Sequence, residues 1–221
     1  MGISGLSIAT RRDRTLVVLS PPALIALCAS AQYIFGASLG VWAWVPTMLL
    51  FWLSIALAVR RLGADGSLAR WLQPAQGSVL WVALAVGAGL LSIPGFLTHW
   101  NLILDPKIFF FWLAFGLVNP WFEEAYWRGL LIDATRSWGG PLSGFYSATW
   151  FALSHPLIWG VHSSALRQWP VILALFFVGT VWAAVYRRSM SLRWTIAGHM
   201  LANLLGLSVP VLLNMYNPAS H

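Results

Sequence analysis

The stretch Asn119-Pro120-Trp121-Phe122-Glu123-Glu124-Ala125-Tyr126-Trp127-Arg128-Gly129 sets two adjacent carboxylates inside a long apolar run. They are the only two glutamates in the 221-residue chain. A charged side chain at membrane depth costs about 2.5–3.5 kcal/mol on insertion scales, so such a residue has a function or a partner. Helix geometry separates the two acids. Glu124 and Arg128 are four residues apart on one face, acid first, which is the favourable order for an ion pair. Glu123 is turned about 100° away from Glu124 and lacks that local partner. Glu124 and Arg128 are therefore expected to hold a site in which Glu123 works.

Two further polar sets interrupt apolar runs. Phe151 and His155 are four apart, as are His199 and Asn203, so each pair shares a helix face. Each histidine alone, and the asparagine likewise, reads as a helix–helix hydrogen-bonding group. Together, on separate apolar helices, they form a constellation whose desolvation cost is not explained by packing. The chemistry that suits the set is amide hydrolysis. A carboxylate takes a proton from water, one histidine positions that water or relays the proton, and a second histidine with an asparagine donates hydrogen bonds to the developing oxyanion. No good covalent nucleophile is offered: Cys28, the lone cysteine, is remote in sequence and Ser154 has no separate base assigned to it. Glutamate with two histidines is also a zinc combination, although the His-Glu-x-x-His arrangement is absent.

The elements that must position these groups follow from composition. The chain is 59% hydrophobic and 9% charged, with a mean hydropathy of +0.73, which excludes an ordinary soluble domain. An all-α polytopic membrane bundle is expected. Apolar stretches at 16–39, 41–59, 79–97, 108–132, 142–161, 170–186 and 194–215 are each near the ~20 residues a helix needs to cross the hydrocarbon. The first is read as a transmembrane helix rather than a cleaved signal, because its apolar character runs past Ala29-Ser30-Ala31. A polar stretch at 60–78 divides a leading segment, 1–78, from a core, 79–221, that carries the motifs within 119–203.

With seven spans and a cytoplasmic N-terminus, eleven arginines fall inside, and only Lys107 and Arg167 fall outside. That positive-inside bias places the C-terminus outside. The net charge of +7 is scattered between apolar runs and is no nucleic-acid footprint. Trp42, Trp44, Trp169 and Trp194, near helix ends, read as interface anchors. His99, His162 and His221 read as solvated. On these spans His199 lies ~6 Å from its cytoplasmic end and His155 ~20 Å from its own, at 1.5 Å per residue.

The three segments resemble the CPBP family of intramembrane proteases, also called the CAAX-protease or Abi family, which includes the type II CAAX prenyl endopeptidases. The family pattern Glu-Glu-x-x-x-Arg stands here as Glu123, Glu124 and Arg128. Phe-x-x-x-His stands as Phe151 and His155, and His-x-x-x-Asn as His199 and Asn203. The resemblance implies a glutamic-type endopeptidase. Glu123 and His155 would activate water, His199 and Asn203 would stabilise the oxyanion, and Glu124, Arg128 and Phe151 would support them. It implies no required cofactor, a divalent metal such as zinc being the alternative. The implied substrate is a membrane-embedded, lipidated or tagged protein cut near its C-terminus, and the implied location is a bacterial inner membrane. The alternatives are a non-enzymatic immunity or scaffold protein of the same fold, a metal-dependent membrane protease, and a proton-coupled transporter or haem protein.

Overall fold

The computed structural model describes residues 11–161 and 163–209. The polar segment 1–10, His162, residues 210–215 of the last expected span, and the C-terminus with His221 lie outside the described residues. Among the described residues the chain is helical and forms no strand.

The leading hairpin is α1 (Arg11–Leu39) and α2 (Trp44–Leu62), joined by the 3₁₀ turn Gly40–Ala43. Gly40 takes φ +52°, a left-handed conformation that glycine adopts without penalty, and this ends α1 where the sequence suggested a break. On α2 the residues Trp44, Thr47, Met48, Phe51 and Ile55 are buried, a stripe at helical spacing that faces the bundle. The short helix α3 (Ser67–Trp71) follows, and then α4 (Val79–Leu90), whose N-cap Ser78 accepts a hydrogen bond from the Leu80 amide at 3.1 Å. The expected span 79–97 breaks at Leu91–Ser92 before α5 (Ile93–His99). Helix α6 (Pro106–Glu124) starts on Asp105, which accepts from the Lys107 amide at 2.7 Å. It runs through a π-helical turn, Ala125–Leu130, into α7 (Leu131–Ala134). Helices α8 (Gly140–Ile158), α9 (Trp169–Ser189) and α10 (Arg193–Leu205) complete the bundle.

Packing is organised around α10, which lies on α4 and α6, while α8 packs on α9. The α4–α10 crossing is backbone against backbone. A Cβ at Gly198 would sit 2.1 Å from the Ala85 carbonyl oxygen, and one at Gly89 would sit 2.1 Å from that of Gly198. Glycine is the only residue that fits such an approach, as in other close membrane-helix contacts. Large apolar side chains cover the outside: Val79 is 79% exposed and Ile34 69%. A lipid solvent, not water, accounts for that surface.

Three stretches are long and apolar enough to cross a membrane: Asp13–Leu62 (the α1–α2 hairpin), Val79–Ile103 and Trp169–Ser189. The other expected spans are those that carry the polar motifs. Glu123, Glu124 and Arg128, the serines and histidine of α8, and the 13-residue length of α10 dilute their apolar signal.

Candidate active site

The π-helical turn begins at the residue after Glu124 and carries Arg128. Such turns insert one residue into a helix and free backbone carbonyls, and they recur at functional sites. The Trp127 carbonyl finds a partner in the Ser147 hydroxyl, which donates to it at 2.6 Å from α8. Gly129 lies against the Trp71 ring, where a Cβ would approach to 2.9 Å. The turn is thereby clamped between α3 and α8.

Both glutamates reach one imidazole. His199 Nδ1 lies 2.8 Å from Glu124 Oε1, and His199 Nε2 lies 3.6 Å from Glu123 Oε2. The two acids thus approach different nitrogens of one ring. Glu124 also pairs with Arg128, Nη1 to Oε1 at 3.0 Å, and both side chains are fully buried. No guanidinium nitrogen of Arg128 makes a directed hydrogen bond among the described residues, so the pairing is a close charge contact. The guanidinium is stacked instead: its carbon lies 4.2 Å from the Phe151 ring centre and 5.3 Å from that of Trp182.

Phe151 is the hub of the cluster. Its ring meets His155 edge-on at 4.9 Å and His199 at 5.7 Å, and its carbonyl lies 2.9 Å from His155 Nδ1. That contact assigns the Nδ1 proton to His155 and turns Nε2 into the free acceptor. Trp182 stacks on His199 at 4.7 Å and 24°, and its indole donates to the Ala85 carbonyl at 3.0 Å. One residue thus ties α9, α10 and α4 together at the site.

Glu123 is held on one oxygen only. Asn119, one turn earlier, donates to Oε1 at 3.1 Å, and Trp52 of α2 donates to Asn119 Oδ1 at 2.8 Å. Among the described residues Oε2 is buried and has no hydrogen-bond partner; the same is true of Glu124 Oε2 and of Asn203 Nδ2. The Asn203 carbonyl and side-chain oxygens accept from Ser208 at 3.3 Å. Asn119, Glu123, His155, Trp182, His199 and Asn203 line one cavity of about 460 Å³.

All seven residues singled out by spacing therefore meet. The depth offset expected between His155 and His199 is absorbed by the turn before α10: Ser189, Ser191 and Leu192 are buried, so α10 begins inside the bundle. Three neighbours escaped the sequence reading. Asn119 was signalled by its position four residues before Glu123, whereas Trp52 and Trp182 look like any other membrane tryptophan. Trp44, expected at an interface, is 3% exposed and packs against Phe111 and Phe115. Trp42, Trp169 and Trp194 are exposed, as is His99.

Fold and site together define a helical membrane protein with an acid, imidazole and amide cluster sunk in its bundle. Residues 105–205 match the family model described as type II CAAX prenyl endopeptidase Rce1-like. This segment, just under half of the chain, carries all three motifs and is similar to that family. No curated protein and no solved structure matches the chain.

Proposed function

We propose that the chain is an endopeptidase that hydrolyses a peptide bond near the C-terminus of a membrane-embedded, lipidated or tagged protein. One observation carries this reading. Among the described residues Glu123 Oε2 is a buried acceptor without a hydrogen-bond donor, Asn203 Nδ2 is a buried donor without an acceptor, and both belong to residues lining the same cavity as His155 and His199. Unsatisfied buried polar groups are costly, and a site that leaves them so is poised for a ligand.

In the proposed reaction, water is held between Glu123 Oε2 and His155 Nε2. Glu123 takes its proton as the water oxygen adds to the scissile carbonyl carbon. The resulting oxyanion is met by Asn203 Nδ2–H and by the Nε2–H of a protonated His199, whose charge Glu124 balances. Collapse breaks the C–N bond, and the proton held by Glu123 passes to the leaving amine. Glu124, Arg128 and Phe151 hold His199 and His155 in place. The leading segment 1–78 braces the core 79–221 through Trp52 and Trp71.

We propose further that no metal is required. The side chains named above already supply a base, a water-positioning group and oxyanion donors, so the proposed reaction does not need a Lewis acid. Activity that survives exhaustive chelation supports this, and activity restored only by zinc overturns it. The location proposed is a bacterial inner membrane with a cytoplasmic N-terminus and an external C-terminus, as the arginine distribution suggests. The test of function is a comparison of membrane-protein C-termini in cells carrying the wild type or Glu123→Gln. A set of termini left uncut only with the variant is expected; identical termini at equal expression would overturn the proposal.

A further inference from the structure

A second, smaller cavity of about 220 Å³ lies away from the acid–histidine cluster, where α3 meets α7. Arg14, Arg70 and Arg136 line it, with Trp71, Asp133 and Ser137. The one carboxylate in this cavity is already engaged: Asp133 accepts from the Trp71 indole at 2.9 Å and from the Tyr186 hydroxyl at 2.8 Å. Arg70 donates to the Asp65 carbonyl and to Ser67 Oγ. Arg136 donates to the Met190 sulfur at 3.0 Å through Nη2, and among the described residues its Nη1 is buried without a hydrogen-bond partner. Among the described residues that line it, three guanidinium groups face one committed carboxylate, which leaves the cavity short of an anion.

The same cavity opens beside an apolar groove. Gly63, Ala64 and Ser67 line both. The groove, about 790 Å³, runs between α2 and α6 and is walled by Val59, Leu68, Leu72 and Phe122, with Arg60 and Asp65 at its rim. A basic cavity continuous with an apolar groove on the outer face of a membrane bundle matches one amphipathic molecule: an oxyanion headgroup on an acyl chain.

We propose that this paired cavity and groove bind an anionic phospholipid, its phosphate among Arg14, Arg70 and Arg136 and an acyl chain along α2 and α6. Arginine suits the role because its planar fork meets phosphate oxygens in pairs. The lipid would also brace the site from behind, since Trp71 packs on Gly129 of the π-helical turn.

The test uses the full chain in bilayer discs of phosphatidylcholine alone or mixed with phosphatidylglycerol, read by native mass spectrometry after release and by thermal unfolding. The wild type is expected to retain phosphatidylglycerol in preference to phosphatidylcholine and to unfold at a higher temperature in the mixed discs. Arg14→Gln and Arg136→Gln are each expected to lower that retention about fivefold. Arg14 is exposed, so its variant folds normally even if Arg136→Gln does not. Arg61→Gln, an exposed arginine outside the cavity, is the control and is expected to change nothing. Equal retention of the two lipids, or an equal loss in all three variants, would overturn the proposal. So would an equal thermal shift from inorganic phosphate alone, which would identify a free oxyanion as the ligand.

Discussion

Glu124 and Glu123 are neighbours in the chain and approach the two nitrogens of one imidazole, yet the regions around them differ. On the Glu124 side the charges meet one another away from the cavity: Arg128 is fully buried beside Glu124 Oε1, stacked on Phe151 and near Trp182, and His199 Nδ1 closes the cluster at 2.8 Å, although Glu124 Oε2 makes no hydrogen bond among the described residues. On the Glu123 side one oxygen is fixed by Asn119, and the other, 3.6 Å from His199 Nε2, makes no hydrogen bond among the described residues and belongs to a residue that lines the cavity. A buried charge that is fully matched builds structure, because removing its partner leaves an uncompensated ion. A buried polar atom left unmatched beside a cavity is a reactive group whose cost the fold carries.

This contrast can be broken from either side. The largest effect is expected for Glu123→Gln, which keeps the Asn119 contact but removes the base. Cleavage should fall about 10²–10⁴-fold, measured on purified protein, with the unfolding temperature unchanged. Next is Arg128→Met. It leaves buried Glu124 with His199 in place of a permanent cation and should cost about 3–5 kcal/mol, read from unfolding in detergent, with activity lost alongside stability. Asn203→Ala should lower kcat about 10²–10³-fold with little change in KM or in stability. Gly198→Ala forces α10 off α4 and should destabilise by about 1–3 kcal/mol, with activity falling because His199 moves with the helix. The smallest effect is expected for Trp52→Phe, which leaves Asn119 Oδ1 without its donor. It should cost about 1 kcal/mol and reduce cleavage without abolishing it.

Spacing alone gave the residues of both regions but not their environments. The intervals between Glu124 and Arg128, Phe151 and His155, and His199 and Asn203 are each one helical turn, so local faces could be read directly. The π-helical turn after Glu124 could not be read, because it is fixed by tertiary clamps: Ser147 on the Trp127 carbonyl and Trp71 on Gly129. Hydropathy likewise located the apolar helices but could not place α10 in depth. That depth depends on the buried turn before it and on the glycine contacts with α4, which involve residues far apart in sequence. Asn119 was visible as a polar residue one turn from Glu123. Trp52 and Trp182 had no distinguishing signal among 15 tryptophans, since only packing separates a membrane anchor from a site wall.

The most direct test of the division of labour between the two acids is a side-by-side measurement of Glu123→Gln and Glu124→Gln, each scored for peptide cleavage and for unfolding temperature. The account predicts that Glu123→Gln unfolds like the wild type and does not cleave, whereas Glu124→Gln unfolds at a clearly lower temperature. Cleavage retained by a folded Glu123→Gln protein would contradict it.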